Sequence, residues 1–356
     1  MPVKTVYLET LGCAKNRVDS EIMLAALQKG GYAFTQDAAA ANVIIVNTCA
    51  FLTSATEESI DRLLTLSDHK KDGACEKLVS AGCVSERYRE ALLDEIPELD
   101  GLLGSSNFHE IPTLLDDLYA GNDGAKVRLQ KKPHYAHYEH QERIQTTPAP
   151  YVYVKVAEGC SNMCSFCNIP FLRGYFSSRS VEDVVAEVQG HVSRGIRELN
   201  LISQDTSSYG VDLKDGSNLE RLLRGIDDVP GDFWVRLFYA YPNTFTPETM
   251  ALVGGSKHIV PYLDMPFQHI SDGVLKHMNR RITGKQIRAK LEQLKTAIPN
   301  LALRTTFIVG FPGETEEDFA ELKAFVKEGW FDHVGVFTYS HEDNIKSAQY
   351  GDPVPA

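Results

Sequence analysis

Three short apolar runs near the start of the chain each end in a cysteine. VYLETLGC closes on Cys13, NVIIVNTC on Cys49 and KLVSAGC on Cys83. Helical apolar spacing separates them, so this part of the chain alternates strand and helix. The spacing predicts strands over 3–11, 42–48 and 77–81. It predicts helices over 19–29, ending at Gly30-Gly31, and from a capping box at Ser54–Glu57 to about 67, with another from Ser85. A repeated β-α order implies a parallel, doubly wound sheet, whose functional groups gather at the carboxyl ends of the strands. Cys13, Cys49 and Cys83 therefore share one rim despite their separation in sequence. Cys75 precedes its strand, belongs at the opposite end of the sheet, and is read as unliganded.

A second series starts at Tyr151. Strands are expected over 151–157, 198–203, 234–240, 261–265, 301–309 and 333–339, with helical patterns between them such as 181–192 and 315–328. Six βα units are fewer than the eight of a closed barrel, which implies an open, partial one. The fold class is thus α/β: a doubly wound parallel-sheet domain over 1–124, then a partial (β/α)6 barrel over 151–345. The polar stretch 125–150 reads as a linker in which His134, His137 and His140 are solvated, and 346–356 reads as a tail.

Directly after the first barrel strand stand Cys160, Cys164 and Cys167, spaced C-x3-C-x2-C. Three thiolates are one short of a closed tetrahedral zinc site. On a cubic iron–sulfur cluster they leave one iron open. The fourth iron could then chelate S-adenosylmethionine, and electron transfer would cleave the sulfonium to a deoxyadenosyl radical. A zinc knuckle borrowing a fourth ligand is the competing reading, but a strand-then-loop position at a barrel mouth suits an active site. Phe166, between the last two cysteines, is expected against the adenine. Gly310 and Gly313 in IVGFPGE permit close backbone approach to a ligand, or simply form a tight turn. Gln204 and Asp205 end the second barrel strand, and Arg304 lies in the fifth, for cofactor contact or a structural ion pair. The dispersed triad is read as a second metal site. One cysteine at a strand end is commonly just a small hydrophobe, but three on one rim are not. No side chain is singled out as a general acid or base.

Composition narrows the classes. Lys plus Arg is 36 and Asp plus Glu is 48, a net charge of −12. That balance disfavours a chain held to nucleic acid by its field and suits a basic partner. Seven cysteines, an odd number in two groups, fit a reducing cytoplasm rather than a disulfide set. No apolar run reaches the length of a membrane span, and MPVKTVYLET enters a strand pattern with no room for a signal peptide. A nucleotide-binding dehydrogenase would carry G-x-G-x-x-G where LGCAKN stands. A cluster carrier would need no barrel behind its cysteines.

These residues together resemble the methylthiotransferase family of radical S-adenosylmethionine enzymes, over nearly the whole chain. The carrying motifs are LGCAKNRVDSE, NTCAF, ISQDTSSYG, RLFYAYP and QHISDGVLKHMNR. They match the branch that modifies a ribosomal protein. The transfer-RNA branch typically reads QSGS at Gln268–Ser271 and a GQN-type sequence at Ser203–Asp205. The resemblance implies two 4Fe–4S clusters on the two triads, S-adenosylmethionine as methyl donor and radical source, and a methylthio group placed on the β-carbon of an aspartate in small-subunit ribosomal protein twelve. It implies a sulfur donor and a reducing electron-transfer protein as further partners, no membrane, and no nucleic acid as direct substrate. Residues 269–272 are expected close to the bound partner. Two departures stand out: Ser177 replaces a usual arginine, and the chain stops at Ala356 where members continue into a substrate-binding barrel called TRAM, which is expected to be absent.

Overall fold

The computed structural model describes residues 3–131, 133, 142–351 and 354. They form two compact units, and the chain passes between them more than once. The first unit comprises Met1–Thr146 and Ile169–Tyr175, the second Thr147–Asn168 and Phe176–Ala356.

The first unit is built on strands β1 (Thr5–Thr10), β2 (Ala33–Phe34), β3 (Val43–Thr48), β4 (Lys77–Gly82), β5 (Gly101–Leu103) and β6 (Val127–Arg128). Their order is β2-β1-β3-β4-β5-β6 and every neighbour is parallel. Every residue of β3 is buried, as expected of a central strand covered on both faces. The expected strands are all present. The helices start earlier than expected. The first runs Ala14–Lys29, with Cys13 at its N-cap. The second runs Thr53–Ser67 and does not use the Ser54 capping box. The Thr56 amide and hydroxyl both donate to the Leu52 carbonyl, at 3.0 and 3.1 Å, which closes the first turn one residue sooner. The helix expected from Ser85 is Cys83–Tyr88, because the Ser85 hydroxyl turns back to the Ser80 carbonyl at 2.9 Å.

The linker expectation needs correction at both ends. At the start, Leu102 N donates to Lys126 O and Gly104 N to Arg128 O, at 2.9 and 2.8 Å, so β6 extends the sheet. At the finish, the buried Glu21 accepts from Thr146 N at 2.8 Å and pairs with Arg143 at 3.0 Å. Polar partners hold these ends, which is why polar composition hid them. His134, His137 and His140 lie outside the described residues. The segment Ile169–Tyr175 completes this unit: Leu172 is buried in a core cluster with Ile44, Leu78 and Val84, and its carbonyl accepts from the Ser105 hydroxyl at 2.5 Å.

The second unit opens with β7 (Tyr151–Lys155), then a small antiparallel pair, β8 (Ala157–Glu158) and β9 (Ser177–Ser178). β10 (Glu198–Ile202), β11 (Trp234–Leu237), β12 (Ile259–Asp264), β13 (Ala302–Val309) and β14 (His333–Thr338) follow. The order β14-β13-β12-β11-β10-β7 is sequential and parallel, with β7 and β14 as unjoined edges, so the barrel is partial as expected. Val184 and Val188 of the helix Val181–Ser193, and Leu222, Leu223 and Ile226 of Leu219–Asp227, share one core with Val152, Val154, Leu199 and Leu201 of the sheet. The expected tail is instead folded in part. Ser347, in the short helix Lys346–Gln349, is fully buried, its amide donates to Ser165 O at 2.9 Å and its hydroxyl meets the Tyr339 hydroxyl at 2.9 Å. Among the described residues no helix is long and apolar enough to cross a membrane.

Candidate functional site

The sheet register of the first unit brings its three cysteines together. Thr48 pairs with Gly82, so Cys49 and Cys83 leave adjacent strands from matched positions. Thr10 pairs with Asn47, and Leu11 N still donates to Asn47 O at 2.8 Å before the chain turns to Cys13. The turn requires glycine. Gly12 has φ +85°, and a Cβ there would stand 2.7 Å from Cys49 Cβ and 3.0 Å from its Sγ. Gly82 has φ +87°, and a Cβ there would stand 2.4 Å from Asn47 Oδ1 and 2.8 Å from Thr48 O.

Amide and hydroxyl groups brace this rim from below. Asn16 Nδ2 donates to Leu11 O at 2.8 Å and Thr48 O at 2.9 Å, tying the strand ends that precede Cys13 and Cys49. Asn47 Nδ2 donates to Asn16 O at 2.8 Å. The Thr48 hydroxyl donates to Ala81 O at 2.5 Å and accepts from Val84 N at 3.1 Å, spanning Cys83. Cys13 is exposed, Cys49 half-buried and Cys83 buried. Burial pushes the Cys83 thiol up to about 12, opposed chiefly by the Arg173 guanidinium, and burial also raises Cys49. Buried neutral thiols of this kind lose their protons to a metal rather than to water. Among the described residues no three His, Cys, Asp or Glu side chains converge tightly enough to close on a single ion. A tetrahedral zinc would need sulfurs about 3.8 Å apart, given Zn–S bonds of about 2.3 Å. A cubic cluster spreads its thiolates more widely than that.

The second unit presents its cysteines on one loop after β8. Cys160, Cys164 and Cys167 are all half-buried, and Cys167 N donates to Cys164 O at 3.1 Å. The loop is hooked to its own unit at several points. Ser165 N donates to Met278 O at 3.1 Å and its hydroxyl to His277 O at 2.8 Å. Asn279 Nδ2 donates to Met163 O at 2.8 Å, and Met163 has φ 54°. Asn162 Nδ2 donates to Asp205 Oδ2 at 2.7 Å. Burial pushes the Cys160 thiol up to about 11, and the nearby Asp205 carboxylate adds to the rise. Arg280 is buried, stacks over the Tyr241 ring at 4.3 Å, and directs Nη1 at Cys164 Sγ from 3.6 Å.

The other residues singled out in the sequence lie around this loop with different engagements. Phe166 packs half-buried against a small cluster of Val274, Met278 and Phe311. Gln204 is half-buried just past β10. Arg304 donates to Asp264 at 2.9 Å across β12 and β13, the ion pair that the sequence left open. Gly310 and Gly313 have φ +73° and +86°, and a Cβ on Gly310 would meet nothing within 4 Å. Residues 269–271 form an internal brace. His269 is fully buried; its Nδ1 accepts from Ser271 N at 3.1 Å, so Nε2 carries the proton and donates to Glu314 Oε1 at 3.3 Å. Glu314 Oε2 in turn accepts from Phe311 N at 3.0 Å, which fixes the glycine-rich turn. Asp272, the next residue, is exposed.

Sequence reasoning missed Asn16, Asn47 and Thr48, which are unremarkable as letters until the register is known. It also missed Arg173 and Arg280. A lone arginine in the apolar stretch IPFLR was the signal for the first, and the arginine closing KHMNR for the second.

Comparison with known proteins agrees with this geometry. Residues 5–104 match the model of the uncharacterized protein family UPF0004, and residues 154–326 that of the radical SAM superfamily. Among solved structures, the chain is similar to the radical S-adenosylmethionine methyltransferase TsrM from Kitasatospora setae, with TM-score 0.66 and 14% identity over 94% of this chain and 75% of that one. It is also similar to the cobalamin-dependent radical enzyme OxsB, with TM-score 0.62 and 13% identity over 98% and 55%. These likenesses concern the fold. Closer relatives carry the name ribosomal protein uS12 methylthiotransferase RimO. Those of Trichlorobacter lovleyi and Geobacter sulfurreducens are each 45% identical over 98% of this chain and over 77% and 78% of their own lengths. That of Syntrophotalea carbinolica is 46% identical over 99% of this chain and 77% of its own. A radical SAM domain implies S-adenosylmethionine and one 4Fe–4S cluster. On the strength of these nearly full-chain identities, the chain belongs to the RimO family of radical S-adenosylmethionine methylthiotransferases.

Proposed function

We propose that this enzyme attaches a methylthio group to the β-carbon of an aspartate in ribosomal protein uS12. The observation that carries the reading is 45–46% identity over 98–99% of the chain to proteins of that name. In this reading Cys160, Cys164 and Cys167 hold one 4Fe–4S cluster, and Cys13, Cys49 and Cys83 hold a second. When bound, the first would supply reductive cleavage of S-adenosylmethionine and the second a seat for the transferred sulfur. The chain's own contribution is positional. The Asn16, Asn47 and Thr48 brace keeps three strand ends in register, and the Ser165 and Asn279 hooks fix the loop. Phe166, Gln204, Arg304, Gly310 and Gly313 would contact S-adenosylmethionine, with Arg304 presented by its bond to Asp264. A sulfur donor, a reducing electron-transfer protein and a cytoplasmic setting complete the proposal.

The test offers the reconstituted enzyme uS12 and unmodified transfer RNA in parallel, with products read by mass spectrometry. A mass increase on a uS12 aspartate is expected. Methylthio adenosine with unmodified uS12 would reverse the assignment.

A further inference from the structure

We infer that Arg173 is the positive partner of the dispersed triad, placed against its rim through Asn16 and setting the reduction potential of the group that the three sulfurs hold. This rests on reading Cys13, Cys49 and Cys83 as a cluster site.

Arg173 closes the helix Ile169–Arg173, within the seven-residue segment that joins the first unit. Its side chain is 1% exposed. Nη2 donates to Asn16 Oδ1 and, at 3.1 Å, to Asp19 Oδ2. Asn16 is the residue whose amide ties the strand ends before Cys13 and Cys49, and its Oδ1 lies 3.9 Å from Cys13 Sγ. Leu172, its neighbour in the chain, packs in one core cluster with Cys83, and the guanidinium charge favours the thiolate forms of Cys83 and Cys49. It therefore stands one side chain away from Cys13, through Asn16, and is paired with the Asp19 carboxylate.

Electrostatics gives this placement a direction. A buried cation costs several kcal/mol in desolvation and stays only where opposite charge meets it. A 4Fe–4S core with three thiolates is anionic, and more so when reduced. A fixed positive charge beside it favours the reduced state and raises the potential; Asp19 opposes that effect. The planar fork of arginine, with five N–H donors, can serve carboxylate and amide together and still keep donors for an anionic neighbour, which the point charge of lysine does less well.

The experiment uses the full chain with Cys160, Cys164 and Cys167 replaced by alanine, reconstituted anaerobically with iron and sulfide. About four irons are expected; none would overturn the cluster reading and this inference together. On that parent, Arg173→Gln is expected to shift the midpoint potential, followed by electron paramagnetic resonance during redox titration, to more negative values. It is also expected to speed iron loss to a chelator by roughly 10–100-fold. Arg173→Lys should restore much of the potential but less of the retention. Asp19→Asn should shift the potential the opposite way, to more positive values. A packing defect gives no such opposed pair. If Arg173→Gln does not fold, the sign of the Asp19→Asn shift decides alone. Cluster-loaded variants whose potentials stay at the parent value, or all move one way, overturn the Arg173 inference and leave the cluster reading intact.

Discussion

The two cysteine triads solve one problem in two ways. In the second unit the three residues occupy eight positions of one loop, and the loop is held by side chains that reach its backbone. In the first unit the three residues come from three strand ends, and the sheet register holds them. Each has a buried arginine near it: Arg280 directs Nη1 at Cys164 Sγ, and Arg173 bonds Asn16, whose Oδ1 lies 3.9 Å from Cys13 Sγ. The difference lies in what can fail. A loop triad survives changes in the sheet but not in its hooks. A register triad tolerates loop changes but not a shift of one strand.

The sharpest way to test that contrast is to delete each triad. Alanine at Cys160, Cys164 and Cys167 should remove about half of roughly eight irons and abolish S-adenosylmethionine cleavage. Alanine at Cys13, Cys49 and Cys83 should also remove half, abolish methylthio transfer and leave cleavage measurable. Cleavage lost in the second variant, with its loop cluster intact, would falsify the division of labour.

A single glycine should break the register triad alone. Gly82→Ala places a Cβ against Asn47 Oδ1 and the Thr48 backbone at a left-handed φ. We expect about 1–3 kcal/mol of lost stability and loss of the first-unit iron, with cleavage retained. Unchanged iron content and an unchanged melting temperature would show that the strand ends are looser than the register implies.

A smaller effect is expected at the loop's neighbour. His269→Ala removes the donor to the buried Glu314 and should cost about 1.5–3 kcal/mol. S-adenosylmethionine binding should weaken as the turn at Gly310 relaxes. Gln at 269 can still donate, so it should recover part of both in calorimetry; equal losses in Ala and Gln would remove the proposed brace.

The mildest prediction concerns pH. Burial lifts the Glu86 carboxyl from 4.5 to about 7, against the Ser105 amide and Arg89 that favour its charge. A carboxyl raised in the folded state helps most below its unfolded value and loses that help as pH rises toward 7. Glu86→Gln should match the parent near pH 4.5 and exceed it above about pH 7, by a few kcal/mol at most. A constant difference across that range would mean that Glu86 does not titrate with folding.

Much of this was readable in advance, for physical reasons. Apolar periodicity gave the six strands of the second unit to within a few residues, and β-α alternation put Cys13, Cys49 and Cys83 on one rim. The small strands β2, β5 and β6 escaped, having two or three residues each and little pattern. Glu21, Arg143 and Thr146 escaped because polar letters in a polar stretch read as solvated. Burial of His269 against Glu314 also escaped, because it is a tertiary fact that no local pattern in QHISD carries.

The route of Ile169–Tyr175 has a consequence for anyone wishing to take this enzyme apart. Neither unit is a contiguous stretch of gene. A fragment ending at Thr146 would carry every cysteine of its triad yet lack Leu172 in its core and Arg173 on Asn16 and Asp19. Such a fragment should be expressed poorly or bind iron loosely. Recovery would require a circularly permuted or grafted copy of those seven residues, rather than a cut at the apparent linker.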